Sequence, residues 1–198
     1  MDERAISQQQ NAIRQDIIRQ RRSLSHNDIQ RRSLQIAQQV QQLDEFQNAE
    51  TLALYLSVRG EVDTQALIDI AHANKKRVVV PKVQDTKLCF YRYDEDALQK
   101  GRFGILEPSS TKAFELSDID IILMPLVAFD NNGHRIGMGG GYYDTTLAAY
   151  QNAHTPFRLG LGYAFQHKPL IKHHEWDINL HAIATENKIH RIKNDRKR

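Results

Sequence analysis

The sequence has few of the residues that mark disulfide-rich, collagen-like or membrane-spanning proteins. Its single cysteine, Cys89, can form neither an internal disulfide nor a cysteine-based zinc site. Ten glycines and five prolines in 198 residues exclude a collagen-like chain. The longest apolar stretch, residues 121–129, contains a proline and is far shorter than the ~18 apolar residues of a membrane span. The N-terminus lacks the apolar segment of a signal peptide, so we expect a cytoplasmic protein with no membrane partner.

The composition is that of a globular protein, with 40% hydrophobic and 26% charged residues. No internal repeat or linker is evident, so we predict one compact domain over residues 1–198. The net charge is +3, and basic residues cluster in residues 14–32 and in residues 187–198, which we expect to form a solvated tail. Such clusters suit nucleic acid or an anionic small molecule. Because the net charge is small, we expect no nucleic-acid partner.

Hydrophobic spacing predicts a pair of helices at the N-terminus. Ile6, Ile13 and Ile17 recur at near-helical spacing, with polar residues between them. Residues 25–28 fit a capping signature that interrupts the first helix and starts the second. The apolar face predicted for the second helix consists of Leu34, Ala37, Val40 and Leu43.

After residue 50 the pattern changes to strands that alternate with helices. A strand at 51–57, a helix at 63–74 and a strand at 77–81 form a βαβ unit, which implies parallel pairing and a right-handed crossover. Further strands are predicted at 87–93, 119–125, 157–163 and 182–185. Cys89 falls in one of these strands, where we expect it to be buried. The predicted fold class is therefore α/β with a mostly parallel central sheet behind an N-terminal helical pair.

The strongest local signal is the glycine-rich stretch from Arg135 to Asp144. Four glycines in five positions let backbone N–H groups approach a phosphate closely, and the Arg135 guanidinium suits phosphate oxygens. These glycines are Gly137, Gly139, Gly140 and Gly141. A helix is predicted from Tyr142 to Tyr150. The stretch matches neither the P-loop nor the dinucleotide fingerprint, so a phosphate-binding loop and a purely structural turn both remain open.

Acidic residues supply candidate ligands and candidate bases. Asp144 lies beside the glycine loop, and a carboxylate there is the usual way to hold Mg²⁺, with Asp177 as a possible second ligand. Glu61 follows the first strand at the edge where ligands bind in open α/β sheets, although a solvated loop acid is equally possible. Glu107 precedes a proline that restricts its backbone. The nine histidines contain no His-Glu-x-x-His pattern, so we predict no transition-metal site.

Charged and polar residues also share one face of the first helix. Arg14 and Arg21 lie near that face, with Gln10 one turn earlier. From the residues alone, an exposed helix surface is favoured over a ligand-facing one.

Residues 135–144 resemble the signature of the 5-formyltetrahydrofolate cyclo-ligases, also called methenyltetrahydrofolate synthetases. Other segments that resemble the family follow in the same order, at residues 55–57, 60–64, 105–108, 124–130, 162–164, 176–177 and 184–185. The resemblance spans about residues 10–186. It implies a three-layer α/β sandwich, a fold shared with sugar-phosphate isomerases and CoA-transferases.

The resemblance also implies a reaction. In this family ATP phosphorylates the formyl oxygen of 5-formyltetrahydrofolate, and N10 then attacks to give 5,10-methenyltetrahydrofolate, ADP and phosphate. The expected cofactors are ATP as co-substrate and Mg²⁺. The expected partners are these small molecules alone, and we expect a monomer.

Site roles are carried over from the same resemblance. The residues expected to act in catalysis are Arg135, Tyr143 and Glu61. The residues expected to hold ATP are Gln10, Arg14, Arg135, Gly137, Met138, Gly139, Gly140, Gly141, Tyr142 and Tyr143. The residues expected to hold the folate are Glu61, Glu107 and Tyr142, and those expected to hold Mg²⁺ are Asp144 and Asp177. Many relatives have a lysine where this chain has Gln10, which removes one positive charge from the ATP site.

Two other functions remain open from the sequence. A sugar-phosphate isomerase on the same fold would bind its substrate at the glycine loop, use Glu61 as a base and need no ATP. A nucleic-acid-binding module would use the basic helical pair and tail, and its affinity would fall steeply with salt.

Overall fold

The computed structural model describes residues 3–101 and 106–192. Its α-helices are α1 (Glu3–Arg22), α2 (His26–Val40), α3 (Asp44–Asn48), α4 (Gln65–Ala73) and α5 (Tyr142–Leu147). Its strands are β1 (Thr51–Ala53), β2 (Arg77–Gln84), β3 (Lys87–Arg92), β4 (Leu98–Lys100), β5 (Leu106–Pro108), β6 (Ala113–Phe114), β7 (Ile121–Pro125), β8 (Ala128–Phe129), β9 (Arg135–Ile136), β10 (Phe157–Leu161), β11 (Ala182–Ala184) and β12 (Ile189–Arg191).

The N-terminal helical pair is confirmed, and so is the cap between its helices. Ser25 lies at the N-cap of α2, where its hydroxyl accepts a hydrogen bond of 3.1 Å from the backbone N–H of Asp28. The predicted apolar face of α2 was wrong at one position, because Leu34 is 51% exposed. Ile36, which is fully buried, packs into the core with Ala37 instead.

Eight strands form the central sheet, in the order β12-β11-β10-β7-β1-β2-β3-β6. The five inner strands pair in parallel, from β11 through β10, β7 and β1 to β2. The outer strands β12, β3 and β6 run antiparallel to their neighbours. The predicted βαβ unit is confirmed, because α4 connects β1 to the parallel strand β2.

The strands differ from their predicted bounds mainly at the carboxyl ends. The first strand ends at Ala53, although the N–H of Leu54 still donates to the carbonyl of Val79 across 2.9 Å. The second strand continues to Gln84 and turns back into β3. Cys89 lies in β3 as predicted, but it is half-buried rather than buried, and its thiol donates to Oε1 of Gln84 across 3.2 Å.

The sheet lies between two layers, which confirms the predicted three-layer sandwich. Alternate residues of each strand point to opposite faces, so Leu52 and Leu54 join one core cluster while Ala53 joins the other. Helices α2, α3 and α4 contribute to the first cluster. Helix α5 and the segment around Ile178 contribute to the second. A third, smaller cluster joins α1 to the hairpin of β8 and β9 through Ile17.

The C-terminal region is more ordered than expected. Residues 189–191, which we expected in a solvated tail, form the edge strand β12, and Nη2 of Arg191 lies 2.9 Å from Oε2 of Glu45. Residues 193–198 of that predicted tail lie outside the described residues. Among the described helices, none combines the length and the apolarity that crossing a bilayer requires.

The strand order creates a crevice between β1 and β7. From β1 the chain continues to β2 on one side of the sheet, whereas β7 is followed by β10 on the other side. Two neighbouring parallel strands whose connections lead in opposite directions leave a crevice at their carboxyl ends, which is where open α/β sheets bind ligands. The residues that follow β1 and those that end β7 therefore mark the expected site.

The exchanged roles of Leu34 and Ile36 can be tested by truncation. We expect Ile36→Ala to lower the free energy of unfolding by about 2–5 kcal/mol, because it leaves a cavity in the core. Leu34→Ala is the matched control on the same helix and is expected to change it by less than about 0.5 kcal/mol. Urea denaturation followed by circular dichroism measures both, and equal losses would contradict the assignment of the buried face.

Candidate active site

A cavity of about 1000 Å³ lies in the crevice between β1 and β7. Its walls come from α1, from the segments that follow β1 and β7, from β2, and from the glycine-rich stretch. All the site residues predicted from the sequence line this one cavity, namely Gln10, Arg14, Glu61, Glu107, Arg135, Gly137, Met138, Gly139, Gly140, Gly141, Tyr142, Tyr143, Asp144 and Asp177.

The glycine-rich stretch forms an exposed loop between β9 and α5. Gly139 and Gly141 have φ angles of +99° and +65°, which L-residues with side chains rarely adopt. At Gly140 the limit is space, because a Cβ atom would lie 2.7 Å from the ring of Tyr142. The predicted helix at 142–150 begins as α5 and ends as a 3-10 turn over Ala148–Tyr150. The loop therefore brings exposed backbone to the cavity.

Helix α1 contacts this loop through Arg14. Its Nε donates to the carbonyl of Gly137 across 2.8 Å, although the two residues are 123 positions apart. A Cβ atom at Gly139 would lie 3.8 Å from the guanidinium carbon of Arg14. Burial lowers the pKa of Arg14. The ordinary pKa of a guanidinium is so high that the group remains charged. Gln10 is anchored nearby, because its Nε2 donates to the carbonyl of Lys172 across 3.1 Å.

The guanidinium of Arg135 is engaged by protein groups. Its side chain is only 5% exposed, and Nη2 lies 2.8 Å from Oδ1 of Asp144. Nη1 donates to the carbonyl of Ile178. Oδ1 of Asp144 also accepts a bond of 3.0 Å from the N–H of Ile178. The arginine therefore joins the glycine loop to the segment that carries Asp177.

These contacts bring the two predicted metal ligands to one region of the cavity. Asp177 is next to Ile178 and uses Oδ2 to accept a bond of 2.9 Å from the N–H of His174. Among the described residues, Oδ2 of Asp144 and Oδ1 of Asp177 accept no hydrogen bond, and no group of three acidic, histidine or cysteine residues is suited to a metal. Mg²⁺ is typically held by one or two carboxylates together with substrate phosphates, so this pair fits it.

Glu61, with 10% of its side chain exposed, also lines the cavity. Oε2 accepts a bond of 3.1 Å from the N–H of Val58, and Oε1 lies 3.9 Å from Nη2 of Arg21. Burial raises the pKa of Glu61 even though these groups oppose the shift. Burial and the negative charge of Glu61 together raise the pKa of Tyr143, so that its hydroxyl stays protonated and can donate a hydrogen bond.

Glu107 and Tyr142 reach the cavity from the strand β5 and from the start of α5. The Glu107 side chain packs against Gly101, where a Cβ atom would overlap its carboxylate carbon. The ring of Tyr142 packs over Gly140. Both residues therefore line the same cavity as Glu61.

Sequence reasoning missed the apolar walls and most of the rim. The wall residues that it did not single out are Leu56, Pro81, Val83, Leu88 and Leu126. On the rim, Trp176 is 60% exposed and stacks on His174, with ring centroids 4.5 Å apart and planes 8° apart. The only tryptophan of the chain, directly before a predicted metal ligand, was the signal available for it.

Comparison with known proteins decides the family. A sequence model of the 5-formyltetrahydrofolate cyclo-ligase family matches residues 6–186. The 5-formyltetrahydrofolate cyclo-ligase of Haemophilus influenzae is 36% identical over 183 residues, which cover 89% of this chain and 97% of that protein. The enzyme of the same name from Escherichia coli K12 is 36% identical over 180 residues, covering 87% and 98%. This chain belongs to the 5-formyltetrahydrofolate cyclo-ligase family.

Solved structures agree with this assignment. The NMR structure of the 5,10-methenyltetrahydrofolate synthetase of Aquifex aeolicus superimposes with a TM-score of 0.82 at 30% identity, covering 96% of this chain and 95% of that one. A synthetase from Mycoplasma pneumoniae gives a TM-score of 0.73 at 28% identity, covering 94% and 99%. The resemblance inferred from residues 135–144 is thus confirmed, and in this cyclo-ligase Arg135 and residues 137–144 line the cavity.

Because Trp176 is the only tryptophan, its fluorescence reports directly on this cyclo-ligase's cavity. We expect saturating Mg·ATP to change the intensity or the emission maximum, since a ligand in the cavity alters the polarity around the exposed indole. Trp176→Phe is the control and should remove the signal. Calorimetric titration of the same sample checks that the nucleotide binds. If it binds and the emission spectrum does not change, the position of Trp176 on the cavity rim is contradicted.

Proposed function

We propose that this cyclo-ligase converts 5-formyltetrahydrofolate to 5,10-methenyltetrahydrofolate and consumes one ATP per turnover. One observation carries the proposal: a single cavity is lined both by the glycine loop with Arg14 and by Glu61 with Tyr143. Its volume of about 1000 Å³ is at the upper end for small-molecule sites, which suits two substrates bound side by side. The names of the relatives support the same reaction.

The reaction has two chemical steps. First, the formyl oxygen attacks the γ-phosphorus of ATP, the bond to the β–γ bridging oxygen breaks, and ADP leaves. N10 then attacks the activated formyl carbon, loses its proton, and forms the five-membered ring as the bond to the phosphorylated oxygen breaks and phosphate leaves. Phosphoryl transfer depends mainly on positioning and charge neutralisation, so no covalent intermediate with the enzyme is required.

The glycine loop and Arg14 are proposed to bind the ATP phosphates. Exposed backbone N–H groups suit phosphate oxygens, and Arg14 is held at the loop by its 2.8 Å bond to Gly137. Arg135 is proposed to add its positive charge to the same phosphate site, and it also orients Asp144. Asp144 and Asp177 would hold Mg²⁺, which neutralises phosphate charge when it is bound.

Glu61, Glu107 and the two tyrosines are proposed to bind the folate. A carboxylate such as that of Glu61 pairs well with the neighbouring N–H groups of a pterin ring. Tyr143 lies close enough to Glu61 and Arg135 for both charges to affect its pKa, and its neutral hydroxyl suits the formyl oxygen as a hydrogen-bond donor. Tyr142, whose ring packs over Gly140, offers a flat surface on which the pterin ring could stack.

The first experiment is a direct assay. Purified protein is mixed with 5-formyltetrahydrofolate with and without Mg·ATP, and the absorbance of the methenyl product is followed. Growth of that absorbance only with Mg·ATP supports the proposed reaction. No product from folded protein that binds ATP would overturn it and indicate a different phosphoryl acceptor.

Substitution of Asp144 tests the metal assignment. We expect Asp144→Asn to lose at least ~100-fold in turnover, because a neutral amide is a poor ligand for a hard cation and misplaces the phosphates. Circular dichroism and the melting temperature check that the fold is retained. Normal turnover at ordinary Mg²⁺ concentrations would contradict the assignment.

Substitution of Arg14 tests its assignment to the nucleotide. We expect Arg14→Ala to raise the KM for ATP by about 10- to 100-fold, the usual effect of losing a hydrogen bond to a charged group, and to leave the KM for the folate nearly unchanged. Arg19→Ala is the matched control, since the Arg19 side chain is 80% exposed on the same helix and pairs with Asp16. If the KM for the folate changed more than the KM for ATP, Arg14 would instead be assigned to the folate.

A further inference from the structure

Arg21, near the end of α1, is an unusual buried cation. Its side chain is 2% exposed, and it does not line the cavity. Nη2 donates to the carbonyl of Arg59 across 2.9 Å. Among the described residues, its Nε and Nη1 are buried without a hydrogen-bond acceptor. Burying a guanidinium with unpaired donors is unfavourable, and packing alone would be served better by an apolar side chain. We therefore expect the buried guanidinium to serve a group that it contacts.

Arg21 contacts a strained turn. Arg59 and Gly60 have φ angles of +53° and +75°, so two consecutive residues are left-handed, and the first of them carries a side chain. Such a turn persists only where its surroundings hold it. Gly60 packs directly on the helix end, because a Cβ atom there would lie 3.3 Å from the carbonyl oxygen of Arg21. Helix α1 thus holds the turn through both the side chain and the backbone of Arg21.

The turn places Glu61 in the cavity. The N–H of Glu61 donates to the carbonyl of Val58 across 3.1 Å, and Oε2 of Glu61 accepts from the N–H of Val58 across 3.1 Å, so the carboxylate closes the same turn. Oε1 lies 3.9 Å from Nη2 of Arg21. A change in Arg21 would therefore alter both the position and the electrostatic surroundings of this carboxylate.

We propose that Arg21 is a positioning residue that holds the turn at Arg59 and Gly60 and thereby fixes the Glu61 carboxylate toward the folate. This inference rests on the proposed function, because it assumes that Glu61 contacts that substrate. Arg21 itself contacts neither substrate. From α1 it acts on the turn that carries Glu61, whereas Arg14 on the same helix binds the nucleotide.

The charges around Glu61 set the expected pH dependence. Burial raises its pKa, whereas the N–H of Val58 and the positive charges of Arg21 and Arg59 lower it. Among the described residues, the hydroxyls of Tyr55 and Tyr143 also lie close enough for the charge of Glu61 to raise their pKa. Loss of Arg21 therefore raises the pKa of Glu61 further. Folate binding by the ionised carboxylate then weakens at a higher pH than in the wild type.

The test compares three variants by steady-state kinetics across pH. Arg21→Gln removes the charge and is expected to raise the folate KM by about tenfold or more, leave the ATP KM within about twofold, and move the acid limb of kcat/KM for the folate to higher pH. Arg21→Lys keeps the charge and should keep the acid limb near its wild-type position. Arg22→Gln is the matched control, because Arg22 is exposed beside Arg21 and its loss changes the net charge equally.

A double-mutant cycle separates positioning from a general structural role. If Arg21 acts through Glu61, adding Arg21→Gln to Glu61→Gln should lower kcat/KM by much less than it does in the wild type. The inference would be overturned if the two substitutions had independent effects in the cycle. It would also be overturned if Arg21→Gln raised both KM values equally and left the acid limb unshifted. In either case the proposed reaction would still stand. A wild-type enzyme that forms no methenyl product would overturn the inference together with the proposed function. If Arg21→Gln does not fold, a shifted acid limb in the folded Arg21→Lys variant would also overturn it.

Discussion

The parallel pairing of β1 with β7 is the constraint on which the site of this cyclo-ligase depends. Because the chain leaves these neighbouring strands in opposite directions, no connection crosses their carboxyl ends, and a crevice stays open there. Helix α1 closes one side of the crevice and the glycine loop closes another. Residues that are more than a hundred positions apart, such as Arg14 and Gly137, meet at its rim.

Two buried guanidinium groups then organise separate parts of the crevice lining. Arg135 joins Asp144 to the carbonyl of Ile178, which brings the glycine loop to the segment with Asp177. Arg21 holds the turn that carries Glu61. In both places a guanidinium bridges separate segments, a use to which its several donors in a fixed fork are well suited.

Much of this arrangement could be predicted from local patterns. The βαβ unit follows from apolar runs that flank a capped helix, and the cap at Ser25 follows from its spacing to Asp28. The cyclo-ligase signature at residues 135–144 predicted the loop. The buried face of α2 could not be predicted at Leu34, since helical spacing permits either Leu34 or Ile36 to point inward and only the packing against α4 and the sheet selects Ile36. Strand β12 was missed because a short, basic edge strand has little apolar pattern.

The sequence by itself determined the fold class and the family, because the first is written in periodicity and the second in the motif at residues 135–144. Through that resemblance it also named polar residues of the cavity, but not its apolar walls. Only the tertiary structure decided what those residues do to one another. The engagement of Arg135 by Asp144 and Ile178, the raised pKa of Tyr143 beside Glu61, and the support of Glu61 by Arg21 all arise between distant segments. Such couplings depend on distance and burial, and neither quantity is encoded in the spacing of residues along the chain.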